Sequence, residues 1–205
     1  MIYLDHAATS PLLPEVAAAM AEWVGVPANP SSIHGAGRRA AAALDRARDE
    51  VARLVERDPA GIVFVSGATE GNHLAIRGVA PRRVAVSGLE HPSVRAAVAA
   101  TGATVVELSV EPTGVVALPP SLDVDLVALQ WVNHELGTVQ PVHALRGCAG
   151  RAWVHVDAAQ AAGRVALGGL DADSVVVSAH KLGGPVGIGA VSLRGGEPFP
   201  ALFGG

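Results

Sequence analysis

At 205 residues, half of them hydrophobic and few of them aromatic, the chain is long enough to bury an aliphatic core and too apolar to remain disordered. A formal net charge of −4 supplies no basic field, which argues against nucleic acid or an anionic membrane as a partner. The start, MIYLDHAATS, has no apolar leader, no stretch reaches transmembrane length without Gly, Pro or a charge, and a single cysteine, Cys148, rules out an internal disulfide framework, so a cytoplasmic protein is expected.

In chain order, helical patterns come first, near 14–24 and over 36–57, the second rich in Ala, Arg and acids. Short Val/Ile-rich runs bounded by turn residues then predict seven strands, at 62–65, 83–87, 104–108, 125–129, 153–156, 174–178 and 189–193. Between several of them, helical spacing recurs at 69–78, 92–101 and 142–150. Continuous rather than alternating apolar strands joined by helices imply an α/β fold with a mostly parallel seven-stranded sheet covered on both faces, a three-layer α/β/α sandwich. Ligands of such sheets gather at the carboxyl ends of the strands. Polar motifs cluster there: SGATEG after the first strand, GLEHP after the second, QWVNHELG after the fourth, DAAQ after the fifth and AHKLGG after the sixth.

The chemistry of these ends is specific in combination. In VSGATEGN, Gly67 permits close backbone approach, and Thr69 with Glu70 starts a helix whose free amides suit a phosphate; read alone, Thr69 is no more than an N-cap. The segment matches neither a P-loop nor a Gly-x-Gly-x-x-Gly fingerprint. In HVDAAQ, His155 and Asp157 share one face of a strand, and a carboxylate at the strand's end can keep a heterocyclic nitrogen protonated. His91, His134, Glu135, His155, Asp157 and His180 are metal-capable, but no close-spaced His-Glu-x-x-His motif accompanies them and no metal is expected.

Lys181 decides between these readings, being the sole lysine of a chain whose other basic side chains are all arginines. A guanidinium cannot form an imine, whereas a desolvated amine can lose its proton and attack an aldehyde. An aldehyde cofactor that also needs an anion cradle and a carboxylate for a ring nitrogen is pyridoxal 5'-phosphate. Ser178, His180 and the 67–69 turn serve the phosphate, Asp157 the pyridinium and Lys181 the Schiff base, while His91 is placed to stack on the ring or move protons.

The motifs YLDHAATSPL, NPSSIHGAGR, VSGATEGNHLAI, EHPSV, VNHELGTVQPV, HVDAAQAAG and SAHKLGGPVGIGAV together, in this order, resemble the cysteine desulfurases of the class V aminotransferase group over residues 2–205. The resemblance implies the large domain of a fold-type I pyridoxal phosphate transferase, with residues 1–14 as an N-terminal arm and 15–205 as the cofactor-binding domain. It assigns Lys181 as the Schiff-base lysine, His91 as the stacked ring, Asp157 to the pyridine nitrogen and Gln160 to the ring hydroxyl. Ala68, Thr69, Ser178 and His180 fall around the phosphate. Two positions depart from the common pattern: His134 stands where relatives carry an asparagine that contacts the cofactor, and Ala179 replaces a glycine.

The implied activity is conversion of L-cysteine to L-alanine with sulfur passed to a protein persulfide, for iron-sulfur cluster or thio-cofactor assembly, in a homodimer with a sulfur-acceptor protein as partner. Relatives continue past the final FGG into a small C-terminal domain that carries the persulfide cysteine, so the expectation is either a truncated gene product or one piece of a split enzyme completed by a C-terminal partner chain. Cys148, in a helical stretch, reads as a small buried thiol rather than a substitute. A selenocysteine lyase or another class V aminotransferase, and a non-catalytic remnant or interaction subunit, are the alternatives.

Overall fold

A computed structural model describes residues 2–196, so the end of the expected large domain, 197–205, lies outside the described residues. The strands are β1 (Ile62–Val65), β2 (Arg83–Ser87), β3 (Thr104–Leu108), β4 (Leu126–Gln130), β5 (Trp153–Asp157), β6 (Ser174–Ser178) and β7 (Gly189–Leu193). They form one sheet in the order β1-β7-β6-β5-β4-β2-β3. All pairs from β6 to β3 are parallel, whereas β7 is antiparallel to both of its neighbours. Six strands therefore run the same way, and their carboxyl ends meet at one edge.

Two-residue alternation assigns each strand side chain to a layer. On β4, Leu126 and Ala128 pack with Ile76 of α3 (Ala68–Val79) and with Val94, Ala97 and Val98 of α4 (Pro92–Ala99). Val127 and Leu129 face the other way, into a cluster with Ala52 and Val55 of α2 (Gly35–Val55) and Leu145 and Ala149 of α5 (Leu145–Ala149). Both faces are thus covered, which is why β4, β6 and β7 are buried along their whole length and read as unbroken apolar runs. The 142–150 helix is shorter than its pattern predicts, because a single 3₁₀ turn over Val142–Ala144 precedes α5.

The first helix, α1 (Pro14–Ala21), buries none of its residues. Residues 2–13 have no regular structure and run beside the turn that follows β6, tied by Ser10 N–H to His180 O (2.7 Å) and Leu13 N–H to Gly183 O (2.9 Å). Gly189 closes the same edge: a Cβ there would stand 2.6 Å from Val177 O and 2.9 Å from Gly67 Cα. Its missing side chain lets β7 and the turn after β1 sit against β6.

Candidate active site

At the common carboxyl edge of the sheet lies a cavity of about 600 Å³. Lys181, His91, Ala68, Thr69, His134, Asp157, Gln160, Ser178 and His180, the nine residues singled out from the sequence, all line it. Chain topology explains the convergence. Asp157 ends β5 and Ser178 ends β6; His180 and Lys181 sit in the 3₁₀ turn that follows; Ala68 and Thr69 begin α3 after β1; His91 caps α4 after β2.

One corner suits an anion. Gly67 precedes α3 and, having no side chain, leaves the helix start without a side-chain cap, while the Ser178 hydroxyl is buried to 1 % exposure with no hydrogen-bond partner. A Cβ at Gly67 would lie in ordinary contact, 3.8 Å, with that Oγ, so the two positions border the same corner. A buried hydroxyl without a partner is costly, and uncapped first-turn amides attract negative charge. Thr69 is the second residue of the helix and not its cap.

Ionisable groups line the same cavity. Asp157 is 6 % exposed; its Oδ1 accepts from Ala159 N–H (3.0 Å) and its Oδ2 from the Asn72 amide (2.8 Å), so both oxygens are fixed. Lys181 Nζ donates to the carbonyls of Ala7 (2.5 Å) and Ala8 (2.9 Å) in the N-terminal segment. Burial pulls the Lys181 amine below the usual lysine range, Arg164 adds to this, and Asp157 and Asp5 oppose it. An amine so treated loses its proton more easily than a solvated one, a property a nucleophilic lysine needs. His180 is likewise held low, first by burial and then by Lys181, and its Nδ1 lies 3.3 Å from Thr9 Oγ1. Gln160 lines the cavity but directs its amide nitrogen to Ala7 O (2.8 Å).

The rings of His91 and His134 are neighbours in the cavity wall, tilted to one another with centroids 5.6 Å apart. Burial lowers the His91 pKa, Asp157 pushes it back up, and His134 and Lys181 lower it further. His155 does not reach the cavity: it is fully buried beneath Asp157, its Nδ1 2.8 Å from Ser174 Oγ and its Nε2 3.0 Å from Asn72 Oδ1. The six metal-capable residues are therefore not one cluster, and among the described residues no group of three His, Cys, Asp or Glu is placed to hold a metal.

Several contributors carried no sequence signal strong enough to single them out. Asp5, Ala7 and Ala8 reach the cavity from a segment far away in sequence, and Gln130 lines it from the end of β4. Glu90 is buried with its oxygens accepting from Ser87 Oγ (2.7 Å) and Gln130 N–H (2.7 Å), and burial drives its pKa up to about 8. Asn72 had a readable sign: it shares the buried face of α3 with Ala75 and Ile76, an inward stripe where an amide has no place unless something meets it.

The family model for aminotransferase class-V matches residues 2–205. A cysteine desulfurase IscS of Vibrio vulnificus (strain YJ016) is 39% identical over 215 residues, which takes in 94% of this chain and 53% of the relative. A solved NifS-like protein superposes with a TM-score of 0.92 at 31% identity, over 100% of this chain and 62% of its own. The structure of SspA in complex with cysteine gives 0.88 at 30% identity, over 99% and 65% respectively. The chain thus spans about half the length of the curated relative it matches. The chain belongs to the aminotransferase class-V family.

Proposed function

We propose that the chain binds pyridoxal 5'-phosphate and forms the cofactor-bearing part of a cysteine desulfurase. The observation that carries this is the position of Lys181: the only lysine of the sequence faces a cavity that also holds a fixed carboxylate, Asp157, and a buried hydroxyl without a partner, Ser178. The donor set fits the cofactor's three demands. Ser178, His180 and the amides of Ala68 and Thr69 would hold the phosphate, Asp157 would take the ring nitrogen, Gln160 and His134 would contact the ring, and Lys181 would supply the amine for covalent attachment. When bound, the cofactor supplies an electron sink that lets a bond at the amino acid's α-carbon ionise.

The chain's own residues do the rest. Asp157 holds positive charge at its carboxylate, His91 offers a ring nitrogen for proton transfer beside the cavity, and Lys181 takes and returns a proton at Nζ. For cysteine as substrate, a thiolate attacks the sulfur and forms the S–S bond of a persulfide as the C–S bond breaks, and the bonding pair stays with the β-carbon, which takes a proton to give alanine. That thiolate comes from outside these 205 residues. Cys148 is the only cysteine, is buried, does not line the cavity, donates to Leu145 O, and has its pKa raised by burial. A partner carrying an accessible cysteine, a second copy of the chain and a downstream sulfur acceptor complete this reading, as does assembly of iron-sulfur clusters or thio-cofactors as the use of the sulfur. No helix among the described residues is long and apolar enough to cross a membrane, and a cytoplasmic setting accords with the lone thiol.

The test is direct. Purified chain mixed with pyridoxal phosphate is expected to turn yellow, and borohydride to fix the cofactor on Lys181, located by peptide mapping. Lys181→Arg keeps the charge and loses the imine, so it is expected to stay colourless after desalting. A native chain that stays colourless overturns the proposal. Sulfide release from cysteine, measured with a dithiol reductant present to cleave the persulfide, is expected to be low for the chain alone and to rise when a protein bearing an accessible thiolate is supplied.

A further inference from the structure

Beneath the cavity runs a set of buried polar groups that ends on Asp157 and His91. Trp153 Nε1–H donates to Ser174 Oγ (2.9 Å), Ser174 Oγ lies 2.8 Å from His155 Nδ1, and His155 Nε2 lies 3.0 Å from Asn72 Oδ1. The Asn72 Nδ2 then reaches both Asp157 Oδ2 (2.8 Å) and Ser93 Oγ (3.0 Å), and Ser93 Oγ lies 2.7 Å from His91 Nδ1. Asn72 and His155 are entirely without solvent exposure.

Donor and acceptor chemistry gives every link a direction. An indole nitrogen only donates, so Ser174 Oγ accepts from Trp153 and its own proton is left for His155 Nδ1. A carboxylate only accepts, so the Asn72 group that faces Asp157 is the NH₂ and the one that faces His155 is the carbonyl. His155 Nε2 must then carry a hydrogen. The second hydrogen of the Asn72 amide goes to Ser93 Oγ, whose proton points on to His91 Nδ1. A backbone amide decides that last link independently: Ser93 N–H donates to His91 Nδ1 (3.1 Å), so this nitrogen presents its lone pair.

We infer that Asn72 is a positioning residue whose single carboxamide fixes the Asp157 carboxylate and, through Ser93, holds His91 as the tautomer with its proton on Nε2, the nitrogen left for the cavity. His91 then meets a ligand as a hydrogen donor in its neutral form, and its orientation is locked to that of Asp157 by one shared group. The two groups assigned to opposite tasks, holding charge and moving a proton, thus share one amide in addition to the backbone bonds each receives from Ser93 N–H and Ala159 N–H. The idea deepens the cofactor-binding reading and uses its site, yet the bonds on which it stands lie wholly within the chain.

The experiment is long-range ¹H–¹⁵N correlation spectroscopy on the full chain with labelled histidines, without added cofactor, with His91 and His155 assigned from His91→Gln and His155→Gln. Both rings are expected in one tautomer, protonated on Nε2. Ser93→Ala removes the hydroxyl arm alone and is expected to move only the His91 pattern. Asn72→Ala removes both arms and is expected to turn His155 into a tautomer mixture and to disturb His91 as well. A native His91 protonated on Nδ1 overturns the inference, as does an Asn72→Ala chain with both patterns unchanged, or a Ser93→Ala chain in which His155 moves as much as His91. The native measurement stands even where a variant fails to fold. Because no cofactor is present, a failure here leaves the cofactor reading intact, and a chain that never turns yellow leaves the tautomers measurable.

Discussion

Two buried groups give this protein a pH dependence that can be worked out residue by residue. Burial pushes the Glu90 carboxyl from its reference value of 4.5 up to about 8, against the pull of its hydrogen bond from Ser87. Its folded pKa is raised, so the native state holds this proton while the unfolded chain has released it, and stability falls as pH rises from about 4.5 to about 8. His155 works in the opposite sense: burial lowers it from 6.5 to about 4, so the unfolded chain gains a proton first and stability falls as pH drops through that window. The slopes of the two groups oppose each other between 4.5 and 6.5, and of these two only Glu90 acts between 6.5 and 8. Denaturant unfolding is expected to show declining stability over that upper range, by at most about 1.4 kcal/mol per pH unit for a single proton. Glu90→Gln keeps the shape and is expected to flatten the decline; an unchanged slope in the variant would show that another group is responsible.

At the level of elements, packing at the sheet edge depends on which glycines are crowded and which are free. Gly189→Ala would drive a methyl into Val177 O and the Gly67 backbone, at 2.6 Å and 2.9 Å, where neither neighbour is a flexible side chain. Overpacking of this kind costs about 1–3 kcal/mol, and each kcal/mol lowers Tm by about 2–4 °C for a chain of this size. A methyl group added at Gly147 in α5 would meet nothing within 4 Å, so Gly147→Ala is expected to gain about 0.5–1 kcal/mol instead. Thermal melts of the two variants check the contrast, and cofactor retention should drop for Gly189→Ala alone, because the shifted turn carries the amides of Ala68 and Thr69. The elements themselves were legible because burial on both faces leaves a simple trace, a short apolar run closed by a turn, and all seven runs became strands. Their order was not legible, nor was the reversal of β7, since GAVSL reads alike in either direction. The cavity's floor was legible because strand ends carry polar side chains where core residues would otherwise continue. Its roof was not: Ala7 and Ala8 hold Lys181 through backbone carbonyls, which any residue possesses. Asn72 and His155 stood in plain view, yet their partnership depends on α3 crossing β5, a tertiary fact that periodicity does not contain.

On the scale of the whole molecule, the N-terminal segment is bound to the rest by hydrogen bonds more than by packing. Ile2, Leu4, Met20, Trp23, Val24 and Ile33 are exposed, and α1, at eight residues, buries none of its side chains. A helix so short is not stable by itself in water, and exposed apolar residues in one segment are what the second copy proposed above would cover. The proposed second copy of the chain is the occupant that needs no further component. Sedimentation velocity over a range of concentrations is expected to show self-association, and the double change Trp23→Glu and Val24→Glu to shift it toward monomer. A native chain that stays monomeric throughout, or a variant that associates as before, would remove this face from consideration. The same segment carries the two carbonyls that hold Lys181, so covering the face also orders the wall of the cavity. Dilution should therefore cost the native chain both its association and its bound cofactor over the same concentration range, whereas the Glu variant should retain cofactor weakly and independently of its concentration.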